Sequence, residues 1–242
     1  MNGPTSRRLP AAAAAEARTF VAEGRTPAPA RPASSVVLVR DGETGIEAYV
    51  HHRHPNMAFA GGMIAFPGGG VDPADLQPDS SVDAQMWATR LETTTESARG
   101  FLAAALRETA EETGVRLAPD DLVPWAHWIT PRFQPRRFDT WFFLARLPPG
   151  QQPRDISGET STVAWVAAAT ATAKAERGEW VMLPPTRVIL DELAAYPSVA
   201  ELPTSKPAIE AITPGWIDVG DAVVALLPDD PRYPGDDRSE NR

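Results

Sequence analysis

From Glu96 to Thr113 apolar and polar residues recur with a helical period. The pattern stops at Gly114, the residue type best suited to close a helix in the left-handed conformation. At about 100° per residue, Glu108, Glu111 and Glu112 fall within an arc of about 100°. Leu102, Leu106, Thr109, Ala110 and Thr113 take the opposite side, so one face packs on a core and the other presents three carboxylates. Ala104 lies on the carboxylate side, where a small residue leaves room for a ligand.

A bare helix holds these charges poorly. Glu108 and Glu112 are like charges at i,i+4, which costs about 0.2–0.5 kcal/mol. All three glutamates stand in the last turns, where the helix dipole disfavours each anion by roughly 0.3–1 kcal/mol. Arg107 offsets part of this by pairing with Glu111 at i,i+4, and a hard cation such as Mg²⁺ or Mn²⁺ would offset far more. An isolated E-x-x-E-E would be read as an acidic solvated face, so the wider pattern has to decide.

Around this helix the sequence alternates strands and helices without a regular βαβ order, which predicts an α+β fold on a mixed sheet. Residues 1–34 read as an alanine-rich helix (about Pro10–Glu23) and a Pro/Ala linker, Thr26–Ser34. A globular domain follows over 35–227, opening with strands at Ser35–Arg40 and Ile46–His52 around a turn at Asp41-Gly42. Met63–Phe66 is a short strand ending at Pro67 and Gly68–Gly70, and residues 71–95 read as an inserted loop with one short helix. Later strands are expected at Leu122–Ile129, Thr140–Leu147, Ser161–Val166 and Ala222–Leu227, and helices at Ala167–Glu176 and Pro185–Tyr196. A charged, mobile tail covers 228–242.

The net charge of −9 argues against nucleic acid as a partner. With no cysteine, thiolate metal sites, disulfides and cysteine nucleophiles all drop out. Glu16 and Arg18 break the alanine run too early for a signal peptide, and no stretch approaches a membrane span, so a cytoplasmic location is expected.

The run Arg107-Glu108-Thr109-Ala110-Glu111-Glu112-Thr113-Gly114-Val115 resembles the second half of the signature of the Nudix hydrolases, with Thr109 where an aliphatic residue is usual. The signature also has a glycine 14 positions before its arginine. Phe66-Pro67-Gly68-Gly69 resembles that loop, but Gly69 and Arg107 are 38 positions apart, which implies an insertion of 24. The glutamate expected eight positions before the arginine falls at Arg99, leaving its role unfilled or taken by Glu96. The backbone N–H groups of Gly68, Gly69 and Gly70 could approach an anion closely, or simply end a strand.

The segment Arg53–Gly62 resembles the Nudix branch related to peroxisomal coenzyme A diphosphatases: Arg53 and Gly62 fit, while the second arginine of that motif falls at Ala58. The insertion, with Asp72 and Asp75 near its start, and the Trp128–Pro131 and Arg137–Thr140 segments are similar to the same branch. The resemblance, from about Ser35 to Tyr196, implies an α/β/α sandwich around a mixed sheet. It also implies hydrolysis of a diphosphate linkage with Mg²⁺ or Mn²⁺ on Glu108, Glu111 and Glu112. Arg107 would orient a glutamate, and Glu108, Glu111 or Glu159 would be the base. Arg53, Gly68, Gly69, Gly70, Arg132 and Arg137 are the expected substrate contacts, although the arginine cluster 132–137 is equally readable as a solvated loop.

Coenzyme A or an acyl-CoA is the implied substrate. The rivals are an ADP-ribose or dinucleotide pyrophosphatase, a nucleoside-triphosphate sanitiser and a catalytically silent nucleotide sensor. The only expected partner is a small-molecule diphosphate, with no nucleic acid or membrane and with a homodimer allowed.

Overall fold

The computed structural model describes residues 6–54, 61–77, 82–156, 158, 160–206 and 208–233. In chain order the elements are β1 (Ser6–Arg8), α1 (Ala11–Ala22), β2 (Ala30–Gly42), β3 (Gly45–Arg53), β4 (Ile64–Ala65), β5 (Gly68–Gly70), α2 (Ala84–Arg90) and α3 (Thr95–Thr113). There follow β6 (Val123–Ile129), β7 (Arg137–Arg146), β8 (Thr160–Ala167), α4 (Ala168–Glu176), α5 (Pro184–Leu193), β9 (Ala211–Ile212), β10 (Gly215–Asp218) and β11 (Val223–Leu226). They divide into two compact units, one within 32–126 and 140–209, the other within 1–31, 127–139 and 210–242.

The larger unit is a sheet in the order β4-β3-β2-β7-β6, with β5 added to β2 and β8 to β3. Seven consecutive residues of β2, Ala33–Val39, are buried, which requires cover on both faces of the sheet. On one face Val36, Leu38, Tyr49, Trp141 and Phe143 pack with Trp87 of α2 and with Phe101 and Leu102 of α3. On the other, α4 runs along β3 and β8 and against α5. Two serines open the buried stretch, each bonded to a carbonyl: Ser34 Oγ donates to Phe101 O at 2.7 Å and Ser35 Oγ to Pro67 O at 2.8 Å. This strand begins at Ala30, inside the expected linker, because Ala33 and Ser34 pair with Gly70 and Gly69 of β5 and Pro32 O accepts the Val71 N–H.

Helix α3 matches the periodic run to within one residue. Thr94 caps its start by accepting the Ser97 N–H, and Gly114 ends it at φ 74°. Thr109, the departure from an aliphatic position, is fully buried and returns its hydroxyl to Ala105 O at 2.7 Å. Ala104 is buried as well, so the expected space beside it is filled: the 3-10 turn Pro73–Leu76 and β5 both pack against α3.

In the smaller unit α1 lays Ala14, Ala17 and Phe20 into a cluster with Phe133, Trp216 and Val223. Trp216 meets Phe20 and Phe133 edge-on, with ring centroids 6.1 Å and 4.9 Å apart. A three-stranded antiparallel sheet, β1-β11-β10, and a parallel pairing of β9 with β6 at His127 and Trp128 complete it. Residues just past β11 are tied down, since Asp230 is buried and Tyr233 Oη donates to Thr213 O at 2.7 Å. Among the described residues no helix is long and apolar enough to cross a membrane.

Candidate active site

The carboxylate face of α3 lies against the glycine segment, which is not the loop expected from sequence. Gly68–Gly70 forms β5, pairing antiparallel with β2 through Ser35↔Gly68, Ser34↔Gly69 and Ala33↔Gly70. Side chains are resisted differently at its first two positions, by main chain at Gly68 and by the Glu108 carboxylate at Gly69. A Cβ at Gly68, where φ is 153°, would stand 2.3 Å from Ser34 O, and one at Gly69 would stand 2.2 Å from Glu108 Oε1. The anion that the Gly68 N–H approaches is the chain's own: it donates to Glu112 Oε2 at 2.9 Å. Sequence periodicity put the three glutamates on one open face. The structure grades them instead, with side-chain exposures of 59% for Glu111, 17% for Glu108 and 7% for Glu112.

Arg107 organises the exposed end of this set. Its Nη1 donates to Glu108 Oε1 at 2.8 Å and to Glu111 Oε2 at 3.1 Å. Its Nε and Nη2 donate to the two oxygens of Asp75 at 3.1 and 2.8 Å, and Nη2 also donates to Gly70 O at 3.0 Å. The hydrogen bonding to Asp75 is the largest influence raising the Arg107 pKa, so the guanidinium is permanently charged. Burial pushes the Glu108 carboxyl above its usual range, against the opposing pull of Arg107. Among the described residues no three acidic or imidazole groups converge on one point; Arg107 and the Gly68 amide hold the glutamates apart. The donor set nonetheless suits a hard cation: all three carboxylates share one helix end, and Glu108 and Glu111 are engaged through a single nitrogen.

Behind Glu112 runs one face of β3. His51 Nδ1 lies 3.6 Å from Glu112 Oε2, and burial holds the imidazole down at about 4 despite the influence of Asp155. Tyr49, His51 and Arg53 alternate along this face, and Tyr49 Oη, His51 Nε2 and Arg53 Nε are each buried without a hydrogen-bond partner. Of the three, only Arg53 stands out in the sequence; the histidines lack ligand spacing, and nothing in a strand's alternation marks which face receives a glutamate. Beyond the helix end, Arg154 N–H donates to Thr113 O at 3.0 Å and Ile156 N–H to Glu112 O at 3.4 Å, satisfying carbonyls that a helix terminus leaves open.

Glu159 and the 55–60 segment, which includes Ala58, lie outside the described residues. Glu96 is exposed in the first turn of α3, three helical turns from Glu108, and takes no part in the carboxylate group. Arg132 and Arg137 belong to the smaller unit, where Arg137 donates to Thr130 O at 3.0 Å and Ala28 O at 2.8 Å. Asp75, which contacts Arg107 twice, was visible in sequence only as an acidic residue near the start of the insertion.

A mixed sheet covered by helices on both faces, with a carboxylate helix set against a glycine strand, corresponds to a known domain. The NUDIX domain model matches residues 29–185, and the chain belongs to the Nudix family. It is similar in structure to a NUDIX hydrolase from Alicyclobacillus acidocaldarius, with a TM-score of 0.58 and 28% identity over 71% of this chain and 94% of that one. It is thus a Nudix hydrolase, a pyrophosphohydrolase with the α+β fold of that family. More distant likenesses include a MutT protein from Bacillus halodurans (TM-score 0.49, 12% identity, 83% of this chain and 99% of that one). Another is an Ap4A hydrolase from C. elegans (TM-score 0.43, 17% identity, 68% and 96%). A comparison with curated proteins finds no match.

Proposed function

We propose that this chain hydrolyses the diphosphate linkage of a nucleoside diphosphate derivative, with coenzyme A or an acyl-CoA as substrate, using Mg²⁺ or Mn²⁺ held by Glu108, Glu111 and Glu112. The observation that carries this reading is the placing of three glutamates at one helix end, held apart by Arg107 and the Gly68 amide. Two of them share the Nη1 of Arg107, while Glu108 packs so closely on Gly69 that a Cβ there would displace its carboxylate. When bound, the cation supplies charge neutralisation of the diphosphate oxygens and acidifies an attacking water. Arg107 orients Glu108 and Glu111, and Gly68 N–H fixes Glu112. The base is Glu108, Glu111 or Glu159.

The substrate assignment rests on the Arg53 and Gly62 pattern, with the buried, unpartnered Nε of Arg53 in keeping with a residue awaiting an anionic ligand. The test is a panel of coenzyme A, acetyl-CoA, ADP-ribose, diadenosine polyphosphates and nucleoside triphosphates, assayed with each metal. Release of 3′,5′-ADP and a phosphopantetheine fragment is expected. Turnover of ADP-ribose but not coenzyme A would refute the substrate assignment, and nucleotide binding without turnover of any member would mark a silent sensor.

A further inference from the structure

Glu112 is the most deeply buried of the three glutamates and the one that β3 backs. We infer that His51 is a positioning residue for Glu112, carrying a proton on Nδ1 and holding the carboxylate in place together with the Gly68 amide. The inference rests on the proposed metal site, because what His51 positions is one of its three glutamates.

The imidazole has little freedom to move. His51 pairs with Ala65 of β4 and Val163 of β8, is 1% exposed, and meets the Tyr49 ring edge-on with centroids 5.5 Å apart. Its two nitrogens stand in unlike places. Nδ1 lies 3.6 Å from Glu112 Oε2, while Nε2 is buried without a hydrogen-bond partner among the described residues. The first separation is longer than a hydrogen bond, so it acts through charge, and its sign depends on the proton. A bare Nδ1 would aim its lone pair at a buried carboxylate, whereas an Nδ1–H is drawn towards it. No acceptor at Nε2 competes for that proton. Asp155, the other acid that acts on the ring, accepts from Gly158 N–H at 3.3 Å and from Thr160 Oγ1. The partner of one imidazole nitrogen decides where the proton sits, so Glu112 selects Nδ1–H.

Glu112 is thereby held from two strands through one oxygen. Gly68 N–H of β5 donates to Oε2 at 2.9 Å, and the imidazole of β3 draws the same atom from the other strand. A carboxylate this buried stays ionised only with such compensation. Because both donors act on Oε2, Oε1 can be offered to a cation without loss of either. Without the imidazole proton, Oε2 keeps the amide and loses the restraint from β3.

The experiment reads the proton directly. The full chain is prepared without metal and with nitrogen-15 in its histidine rings, and the His51 signals are assigned by their loss in His51→Asn. Proton–nitrogen correlation spectra are expected to show a proton on Nδ1, with or without a second on Nε2; a bare Nδ1 would overturn the inference. Mn²⁺ binding followed by electron paramagnetic resonance then separates positioning from packing. Asparagine and leucine branch alike at Cγ, but only asparagine can place an N–H where Nδ1 stands. His51→Leu is expected to weaken Mn²⁺ binding about 10-fold or more, the usual effect of losing a group that orients a ligand. His51→Asn is expected to stay close to the wild type, and so is Tyr49→Phe, which keeps the ring beside His51. Wild-type affinity in a folded His51→Leu would overturn the inference. So would a loss in His51→Asn or Tyr49→Phe as large as that in His51→Leu. If His51→Leu does not fold, the ring spectrum decides alone. Absence of Mn²⁺ binding by the wild type would instead refute the proposed metal site, with the place of the proton still decided by the spectrum.

Discussion

Gly68 and Gly69 are neighbours in β5, yet replacing each by alanine should damage different properties. At Gly68 the added Cβ meets main-chain atoms, Ser34 O at 2.3 Å and Ser35 Cα at 2.6 Å, and φ is 153°. Neither obstacle can move without disrupting the β2–β5 pairing. Overpacking costs about 1–3 kcal/mol and a non-glycine residue in this region another 1–3, together about 4 kcal/mol. For a unit of this size that is a fall in Tm of roughly 8–16 °C. At Gly69 the Cβ meets only the carboxylate end of Glu108, with Oε1 at 2.2 Å and Cδ at 2.4 Å. A side chain can swing aside for about 0.5–1.5 kcal/mol, so Tm should fall by no more than about 6 °C. Displacing Glu108, however, should weaken Mn²⁺ binding and turnover about 10-fold or more. Calorimetry on both variants, with Mn²⁺ titration and the diphosphate assay, separates the two effects. If Gly69→Ala binds Mn²⁺ and turns over like the wild type, the placement of Glu108 in the site is wrong. If Gly68→Ala melts like the wild type, the close approach of the two strands is wrong.

Glu111→Gln and Glu112→Gln are each expected to cut turnover by about 100-fold or more while the far-ultraviolet spectrum is retained; for Glu112 the amide oxygen can still accept from Gly68 N–H. Wild-type rates in either variant would dismiss that residue as a ligand. Arg187 is buried and forks between Glu176, Asp191 and Thr172 O. Its two carboxylate partners reach solvent and are not stranded when it is lost, so Arg187→Leu should cost about 2–3 kcal/mol in urea unfolding, below the usual range for a broken buried pair. Burial pushes the Tyr49 phenol up to about 12. The fold therefore favours its neutral form: that contribution is complete below about pH 10, the unfolded value, and is lost as pH rises through about 12. Tyr49→Phe should remove this part of the alkaline loss of stability, and identical alkaline unfolding of variant and wild type would contradict it.

Sequence gave good access to whatever is local. The ends of α3 were legible because Gly114 is a left-handed cap; the β2–β3 hairpin was legible as well, but Asp41 and Gly42 pair with Ile46 and Gly45 inside it and the turn falls two residues later, at Glu43-Thr44. The three-glutamate arc and the Arg107–Glu111 pair follow from helical spacing alone. What escaped depends on partners far along the chain. Asp75 and Arg107 are 32 positions apart, Gly68 and Glu112 are 44, and no periodicity connects them. The burial of Glu112 and Ala104 follows from the insertion and the glycine strand folding over α3, so a helix wheel treated that face as open. Strands β1, β9 and β10 have two to four residues, too few to display alternation.

The smaller unit also sets a schedule for the ribosome. Its long helix, α1, ends at Ala22, but Trp216 and Val223, which cover Phe20, Ala14 and Ala17, come about 200 residues later. The Arg18–Asp218 ion pair and the bond from Leu9 N–H to Val223 O close over the same interval. At translation rates of about 5–20 residues per second, an apolar helix face waits on the order of 10–40 s for its cover. A nascent chain stalled before residue 216 should therefore present that face to chaperones, and release of the final strands should withdraw it.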